Sequence, residues 1–272
     1  MQHEAKKSLG QNFLKSETAL RKIIEAGEIK REDVVLEIGP GRGALTKKLL
    51  EKVDTVIAVE KDKMLYEILK EKFIEQINSR SLVLVHDDIL NFNANTYSLK
   101  PSAYKVIANI PYNITGAILK KFLTENIQPE LMVLMVQHDV AKRILARDGK
   151  ESILSISVKA YGEPKMIMKV EKRYFSPKPK VDSAVIKISH ISRKMFTENR
   201  LAEDKFWEIV KTGFAHKRKK LSGNLKDIMP SHPSQAPRKD RPCEDSCAVL
   251  QGFRDKRAED LSLSDWIKLA KN

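Results

Sequence analysis

Short apolar segments alternate with helical patterns through the first half of the chain, and this alternation constrains the fold more than any other feature. Strands that are buried on both faces of a parallel sheet are continuously apolar, and helices link them. Helical patterns cover residues 16–29, with Ser16 as the predicted N-cap, and residues 44–52 and about 62–77. Five segments have the strand pattern: DVVLEIG (33–39), TVIAVE (55–60), SLVLVHDD (81–88), YKVIANI (104–110) and LMVLMVQ (131–137). The chain is therefore predicted to be an α/β protein with a parallel sheet, whose ligand binds at the carboxyl ends of the strands.

The pattern changes after about residue 150. Two further strands are predicted, MIMKVEKRYF (166–175) and VDSAVIKISH (181–190), and only helical patterns follow residue 191. A chain of 272 residues is long enough for one large domain or two. We expect a sheet domain over residues 1–190 and a smaller helical domain over residues 191–272.

The helical domain contains two clear helical patterns and one segment without a pattern. Residues 203–225 form one helical pattern and residues 260–272 the other, which begins with capping-box spacing at Ser262 and Asp265. Between them, residues 229–247 contain four prolines and many polar residues, which predicts a loop or a mobile segment. Its two cysteines have no further Cys or His at zinc-site spacing and are interpreted as incidental; they are Cys243 and Cys247.

The charge balance favours a polyanionic partner. The chain has 50 Lys and Arg against 36 Asp and Glu, a formal charge of +14, and nucleic acid is the simplest partner for such an excess. The strongest candidates for contact with RNA lie in two basic runs, and they are Lys178, Lys180, Lys217, Arg218, Lys219 and Lys220. The sequence contains no apolar run of 18 residues and no signal-peptide core at its start, so we expect a cytoplasmic protein with no membrane partner.

A glycine-rich turn follows the first predicted strand, in the stretch LEIGPGRGALT. Its glycines, at positions 39, 41 and 43, permit positive φ angles and close approach of a ligand to the backbone. Glu60 ends the next strand and can accept hydrogen bonds from both hydroxyls of a ribose. After the third strand, Asp88 can accept from an adenine amino group while Ile89 packs on the ring. These residues predict a nucleoside site, and by themselves they leave open whether the ligand is NAD or S-adenosylmethionine.

The stretch ANIPYNIT (108–115) ends the fourth strand and therefore faces the same crevice. Its residues suit methylation of an exocyclic amino group, because adenine N6 is a poor nucleophile whose lone pair is delocalised. The Asn109 side-chain oxygen and the Ile110 carbonyl can accept both N6 hydrogens and stabilise the positive charge that develops. Pro111 makes the turn rigid, and Tyr112 can stack on a base that has left its helix.

These motifs together resemble the S-adenosylmethionine-dependent ribosomal RNA adenine N6-dimethyltransferases. The resemblance covers most of the chain and continues weakly through GFAHKRKKLSGNL (213–225) and DLSLSDWIKLA (260–270). Its six ordered motifs are GQNFL (10–14), LEIGPGRGALT (36–46), VIAVEKD (56–62), HDDIL (86–90), NIPYNIT (109–115) and YFSPKPKVDSAVI (174–186). The resemblance implies a Rossmann-like methyltransferase sheet with a smaller C-terminal helical domain, and S-adenosyl-L-methionine as the cofactor.

The resemblance also implies roles for individual residues. Asn12 and Leu14 close over the methionine end of the cofactor, and Phe175 supplies a second aromatic face opposite Tyr112. Besides Asn12 and Leu14, the cofactor site consists of Gly39, Gly41, Glu60, Lys61, Asp88, Ile89 and Asn109. The catalytic set is Asn109, Ile110, Pro111, Tyr112 and Phe175, and no metal is expected.

Two branches of this family fit the motifs. One dimethylates two adjacent adenines near the 3′ end of small-subunit (16S) rRNA, within the 30S subunit or its precursor, and has a role in ribosome biogenesis. The other methylates large-subunit (23S) rRNA and confers macrolide resistance. The isoleucine of NIPY favours the second branch. Three other segments favour the first, and they are PKVDSAVI (179–186), HKRKKLSGNL (216–225) and LSLSDWIKLA (261–270). We expect the small-subunit enzyme, acting as a monomer, although residues 229–250 depart from the family's compact helical connection.

Three other classes are compatible with part of the sequence. An NAD-dependent dehydrogenase shares the glycine turn but explains neither NIPY nor the charge of +14. A DNA amino-methyltransferase shares the Asn-Pro-Tyr chemistry. A non-catalytic ribosome assembly factor shares the fold, but it has no need of the complete set from Asn109 to Tyr112.

Overall fold

The computed structural model of the chain describes residues 5–6, 9–216, 218–226, 228–229, 250 and 252–271. These residues group into two compact units. The first unit comprises Met1–Ala141 and Gly162–Ser192, and the second comprises Lys142–Tyr161 and Arg193–Asn272. The predicted boundary lies between residues 190 and 191, and the observed division differs from it mainly because the segment Lys142–Tyr161 groups with the second unit.

A seven-stranded sheet forms the centre of the first unit. The strands of this sheet are β2 (Val34–Ile38), β3 (Thr55–Glu60), β4 (Leu82–His86), β5 (Tyr104–Asn109), β6 (Leu131–Gln137), β7 (Glu163–Val170) and β9 (Ser183–Ser189). Their order across the sheet is β4-β3-β2-β5-β6-β9-β7. The first five are parallel, and β9 is antiparallel to both of its neighbours. The α/β class with a parallel sheet is therefore confirmed.

Two short strands lie outside this sheet. Phe13–Leu14 (β1) pairs antiparallel with Phe175–Ser176 (β8). The sequence predicts one continuous strand over 166–175, but the chain leaves the sheet after Val170 and makes a 3₁₀ turn over Lys172–Tyr174. Phe175 then pairs with Leu14 instead of continuing β7, so the predicted strand is two strands in two different sheets.

Helices cover the sheet in the first unit. They are α1 (Glu17–Ala26), α2 (Ala44–Leu50), α3 (Lys63–Lys72), α4 (Ile74–Asn78), α5 (Thr115–Thr124) and α6 (His138–Leu145), which crosses into the second unit. Ser16 caps α1 as predicted, because its hydroxyl accepts from the Ala19 amide at 3.2 Å. The predicted helix over 62–77 is interrupted at Phe73, whose φ and ψ are −115° and 29°. The Phe73 ring is buried against Gly43, where a Cβ would lie only 2.5 Å from it.

The second unit is helical in the described residues. Its helices are α7 (Ile153–Lys159), α8 (Lys194–Asn199), α9 (Glu203–Gly213), α10 (Leu221–Leu225) and α11 (Leu263–Ala270). The pattern over 203–225 predicts one helix, but α9 ends at Gly213, where a Cβ would lie 2.4 Å from the Trp266 ring. The capping box at Ser262 is confirmed, since its amide donates to Asp265 at 3.0 Å and its hydroxyl accepts from the Asp265 amide at 3.3 Å.

Some sequence-based predictions concern residues that the structure does not describe. The predicted loop over 229–247 lies outside the described residues except for Met229, and so do Cys243, Cys247 and Lys217. Within the part that is described, no helix is both long and apolar enough to cross a bilayer.

Candidate active site

A cavity of about 450 Å³ lies at the carboxyl ends of strands β2 to β5. Pockets of this size hold small ligands and cofactors. Nearly all of the residues that the sequence assigns to the site line it. They are Asn12, Leu14, Gly39, Gly41, Glu60, Lys61, Asp88, Ile89, Asn109, Ile110, Pro111 and Tyr112.

The glycine turn after β2 provides one wall of this cavity. Gly39, Gly41 and Gly43 have φ angles of 63°, 60° and 74°, which residues with a side chain rarely adopt. A Cβ built on Gly39 would meet no heavy atom nearer than Pro111 Cδ at 4.0 Å. A Cβ on Gly41 would lie 3.0 Å from the Phe13 ring. The turn is therefore open toward Pro111 and closely packed against the N-terminal segment.

Glu60 presents a fixed carboxylate inside the cavity. Its Oε2 accepts from the Gly41 amide at 3.0 Å and its Oε1 accepts from the Asp62 amide at 2.9 Å. The side chain is buried, and burial raises the pKa of Glu60 despite the hydrogen bonds that backbone amides donate to it. Each oxygen keeps a further acceptor position. The arrangement fits the two hydroxyls of a ribose, which would donate to this carboxylate.

The N-terminal segment over residues 9–14 forms the opposite wall. Asn12 is held from two sides, because its side-chain amide donates to the Gly10 oxygen at 3.0 Å and its backbone oxygen accepts from Asn109 Nδ2 at 3.1 Å. Lys6 and Gln11 both donate to the buried Asp62 carboxylate, at 3.0 and 2.9 Å. Hydrogen bonds thus attach this segment to Asp62, just after β3, and to Asn109, at the end of β5.

The NIPY turn stands at the end of the central strand β5. Pro111 adopts φ −61° and ψ 131°, and a 3₁₀ turn over Tyr112–Ile114 follows it. The Tyr112 hydroxyl lies 2.5 Å from Ser183 Oγ. Burial raises the pKa of Tyr112, although the hydrogen bond to Ser183 opposes the shift. The contact with Ser183 therefore holds the end of the ring, and Thr115 Oγ1 donates to the Tyr112 carbonyl at 3.0 Å and holds the backbone of the turn.

Asp88 and Ile89 form the far end of the cavity after β4. Asp88 Oδ1 accepts from the Leu90 amide at 3.0 Å, and Oδ2 accepts from Lys61 Nζ at 2.7 Å. Burial acts to raise the pKa of Asp88, but the Lys61 ammonium and the Leu90 amide outweigh it and lower the pKa. Ile89 is buried. An ionised carboxylate beside an apolar side chain suits an adenine ring with its amino group.

Two residues of the site escape prediction from the sequence. Glu37 lines the cavity, is 1% exposed, and its Oε2 has no hydrogen-bond partner among the described residues. Burial raises the pKa of Glu37 to about 8, a shift that Thr46 opposes by hydrogen bonding and Glu60 increases by its charge. A glutamate inside the apolar run VVLEIG could have indicated a buried carboxyl at this position. Nothing in the sequence indicated a role for Ser183, because serine is common at the start of a strand.

Phe175, which the resemblance assigns to a second aromatic face opposite Tyr112, is a buried residue. Its side chain is 4% exposed and belongs to the hydrophobic core cluster with Leu14 and Val185. It is not among the residues that line the cavity, whereas its neighbour Ser176 is. A role for Phe175 as a second aromatic face stays a prediction.

The predicted RNA contacts lie on exposed segments of each unit. In the first unit, Lys178 and Lys180 are exposed on the loop between β8 and β9. In the second unit, Arg218, Lys219 and Lys220 are exposed, and Lys220 Nζ lies 2.6 Å from Asp255 Oδ1. No group of three or more His, Cys, Asp or Glu side chains in the described residues has the arrangement of a metal site.

Comparison with known proteins adds three findings. The family model described as Ribosomal RNA adenine dimethylase matches residues 2–248. A Dehalococcoides mccartyi (strain CBDB1) protein named Ribosomal RNA small subunit methyltransferase A is 40% identical over 267 residues, which cover 98% of this chain and 87% of that protein. The crystal structure of a dimethyladenosine transferase from Plasmodium falciparum superposes with a TM-score of 0.77 at 28% identity, covering 94% of this chain and 95% of that one.

A second solved structure limits what the fold alone can decide. The 23S rRNA methyltransferase ErmE superposes with a TM-score of 0.73 at 24% identity, covering 95% of this chain and 98% of that chain. Similarity at this level of identity shows a shared fold. The fold therefore does not distinguish a small-subunit from a large-subunit substrate.

Proposed function

The chain belongs to the ribosomal RNA adenine dimethylase family, and from that membership we propose that it dimethylates N6 of two adjacent adenines near the 3′ end of small-subunit (16S) rRNA. It is an rRNA adenine dimethyltransferase, and its cofactor is S-adenosylmethionine. We propose further that the substrate is the 30S subunit or its precursor and that the protein acts on it as a monomer in the cytoplasm. Family membership supports the small-subunit substrate, and the side-chain oxygen that Asn109 keeps free for an acceptor role supports methylation of an amino group.

S-adenosylmethionine supplies an electrophilic methyl group, and the cavity residues are suited to hold its parts. Glu60 would accept from the ribose hydroxyls, since both of its oxygens are fixed by backbone amides at 3.0 and 2.9 Å. Asp88 and Ile89 would hold the adenine ring. The open space beside Gly39 leaves room for the remainder of the cofactor next to Pro111. Asn12, whose backbone oxygen is bound to Asn109, would cover that end.

Asn109 is oriented for the target amino group by its own hydrogen bond. Its Nδ2 donates to the Asn12 oxygen at 3.1 Å, so its Oδ1 remains an acceptor. This oxygen and the Ile110 carbonyl would accept the two N6 hydrogens of the target adenine. Two acceptors set in advance stabilise the positive charge that grows on nitrogen as it attacks the methyl group. No side chain need remove the proton in the same step, because an alkylated amino group loses it readily to water.

Tyr112 would hold the target base in place. Its ring is fixed by Ser183, and stacking on an aromatic ring stabilises an unpaired base by roughly 1–3 kcal/mol. The exposed lysines at positions 178 and 180 would bind phosphates nearby, and the basic residues of the second unit would add further contacts. Lys178 and Lys180 therefore belong to the proposed RNA-binding surface.

The methylated subunit can be identified directly. Purified protein and methyl-labelled S-adenosylmethionine are incubated with unmethylated small subunits, with large subunits and with duplex DNA. We expect label in the small-subunit rRNA only, and mass spectrometry should find two adjacent N6,N6-dimethyladenines near its 3′ end. Label in the large subunit would overturn the substrate assignment. No label in any substrate, with the cofactor bound, would favour a non-catalytic assembly role.

A further inference from the structure

An exposed aromatic side chain stands just outside the cavity, and the reaction described above does not use it. Tyr174 ends the 3₁₀ turn Lys172–Tyr174 and is 38% exposed. The Arg173 guanidinium lies 5.1 Å from the centre of its ring. Arg173 is itself held by Glu171, with Nη2 to Oε1 at 2.8 Å. Glu171 therefore holds the Arg173 guanidinium close to the Tyr174 ring on the surface.

The backbone around Tyr174 is fixed relative to the cavity wall. The Tyr174 oxygen accepts from the Lys15 amide at 2.8 Å, and its amide donates to the Glu171 oxygen at 3.1 Å. Phe175 and Ser176 follow directly and pair with the N-terminal strand. Ser176 lines the cavity. At about 3.3 Å per extended residue, Tyr174 lies about 7 Å along the chain from the cavity wall.

The charge around this pair is cationic. Lys172 belongs to the same 3₁₀ turn as Tyr174, Lys178 and Lys180 lie on the loop after β8, and Lys172 Nζ donates to the Lys180 oxygen at 3.4 Å. Single-stranded nucleic acid is bound by such a combination, in which basic side chains hold the backbone and aromatic or Arg planes stack on bases. A protein partner would gain little here, since an isolated exposed apolar side chain on a basic loop is no docking surface.

We propose that Tyr174, supported by Arg173, is a stacking platform for an unpaired nucleotide that directly flanks the target adenine. The proposal rests on the proposed function and assigns it a second base contact beside Tyr112. Because every base has a π face, the platform holds a neighbour of any sequence. It thereby keeps the strand extended while the target adenine enters the cavity.

The experiment measures KM for unmethylated small subunits at fixed salt and saturating cofactor. Tyr174→Ala should raise KM about 5- to 100-fold, the loss expected for one base–aromatic stack. Tyr174→Phe should stay within twofold of the wild type, because it keeps the ring. Val181→Ala is the matched control, since Val181, on the loop after β8, is also 38% exposed but has no π face. It should leave KM unchanged.

The outcomes separate this proposal from the proposed function. A KM increase below fivefold for Tyr174→Ala, an equal loss for Tyr174→Phe, or an equal loss for Val181→Ala overturns the platform. A wild-type protein that leaves small subunits unmethylated overturns the proposed function instead. Cofactor affinity and the unfolding temperature check that each variant is folded, and if Tyr174→Ala is not, Tyr174→Leu replaces it with the same expected loss.

Discussion

Asn109 Nδ2 donates to the backbone oxygen of Asn12 at 3.1 Å and so joins the end of the central strand β5 to the N-terminal segment. This one bond has two consequences. Because Nδ2 is used as the donor, the side-chain oxygen of Asn109 is left to accept a hydrogen bond from the substrate. The bond also makes the wall formed by residues 9–14 depend on the same side chain that contacts the reacting amino group.

Asn109→Ala should therefore abolish most methyl transfer while RNA binding survives. The oxygen is needed most when N6 becomes positively charged, so its loss should lower kcat more than it raises the KM for subunits. We expect a loss on the order of 10²-fold or more in a single-turnover assay on small subunits. The assay is run at saturating cofactor, since the bond to Asn12 is lost as well. Asn78→Ala, at the end of α4, is the control and should behave as wild type. Near-normal dimethylation by Asn109→Ala would mean that NIPY is only a turn.

Glu60→Ala should weaken cofactor binding, because the ribose hydroxyls lose their acceptor and the Gly41 and Asp62 amides lose theirs. Losing one hydrogen bond to a charged group costs roughly 1.5–3 kcal/mol, so the dissociation constant should rise at least about tenfold to a hundredfold. Calorimetry with S-adenosylmethionine measures it. Glu67→Gln, on the exposed side of α3, provides the control. An unchanged constant in the Glu60 variant would remove this residue from the site.

The sequence could predict the fold of the first unit and the residues at each strand end, because both follow from local pattern. Buried parallel strands are continuously apolar, and polar residues directly after them must lie at one edge of the sheet. Gly39, Glu60, Asp88 and Asn109 do meet in one cavity for this reason.

Contacts between distant segments could not be predicted in the same way. The pairing of Phe175 with Leu14 and the bond from Ser183 to Tyr112 join residues more than 70 positions apart. No periodicity encodes such a pairing, so the sequence pattern over 166–175 predicts one continuous strand where the chain forms two. Likewise, the break between α9 and α10 depends on close packing of Gly213 on Trp266, which a helical pattern does not contain.

Replacing Lys178 and Lys180 together by Ala should flatten the salt dependence of subunit binding and spare cofactor affinity. Each cation that contacts a phosphate releases counterions, with a slope of roughly −0.7 to −0.9 per contact in log affinity against log salt. The matched control removes Lys30 and Lys52, two exposed lysines that precede β2 and β3 and so lie at the opposite edge of the sheet. An identical slope in the Lys178 and Lys180 variant would show that this loop does not contact RNA.

Ser183→Ala should loosen Tyr112 without removing its ring. The hydroxyls lie 2.5 Å apart, and Ser183 is fully buried. We expect a several-fold rise in the KM for subunits and a loss of roughly 1–3 kcal/mol of stability, because a half-buried hydroxyl loses its partner. Tyr112→Phe removes the same bond from the other side, so the double variant should be no worse than either single one. Ser183→Thr, which keeps the hydroxyl, should restore KM. Additive losses in the double variant would contradict a shared positioning role.

Glu37 should make the folded state less stable as the pH rises. Its carboxyl is buried, one of its oxygens has no hydrogen-bond partner within the described part of the chain, and burial raises its pKa to about 8. A carboxyl whose folded pKa lies above its unfolded value of about 4.5 stabilises the protein fully below that value, and the stabilisation is lost as the pH rises toward 8. Removing the charge of Glu37 should therefore raise the free energy of unfolding most at the alkaline end of this pH range.

Glu37→Gln tests this, since it keeps the shape of the side chain and cannot ionise. Urea unfolding at pH 5, 6, 7 and 8 should show the wild type losing stability relative to the variant across the window, with the largest difference at pH 8. Glu67→Gln on α3 is the control, and its difference from wild type should not grow with pH because that carboxyl is exposed. Parallel profiles for wild type and Glu37→Gln would contradict a raised pKa for Glu37 in the folded protein.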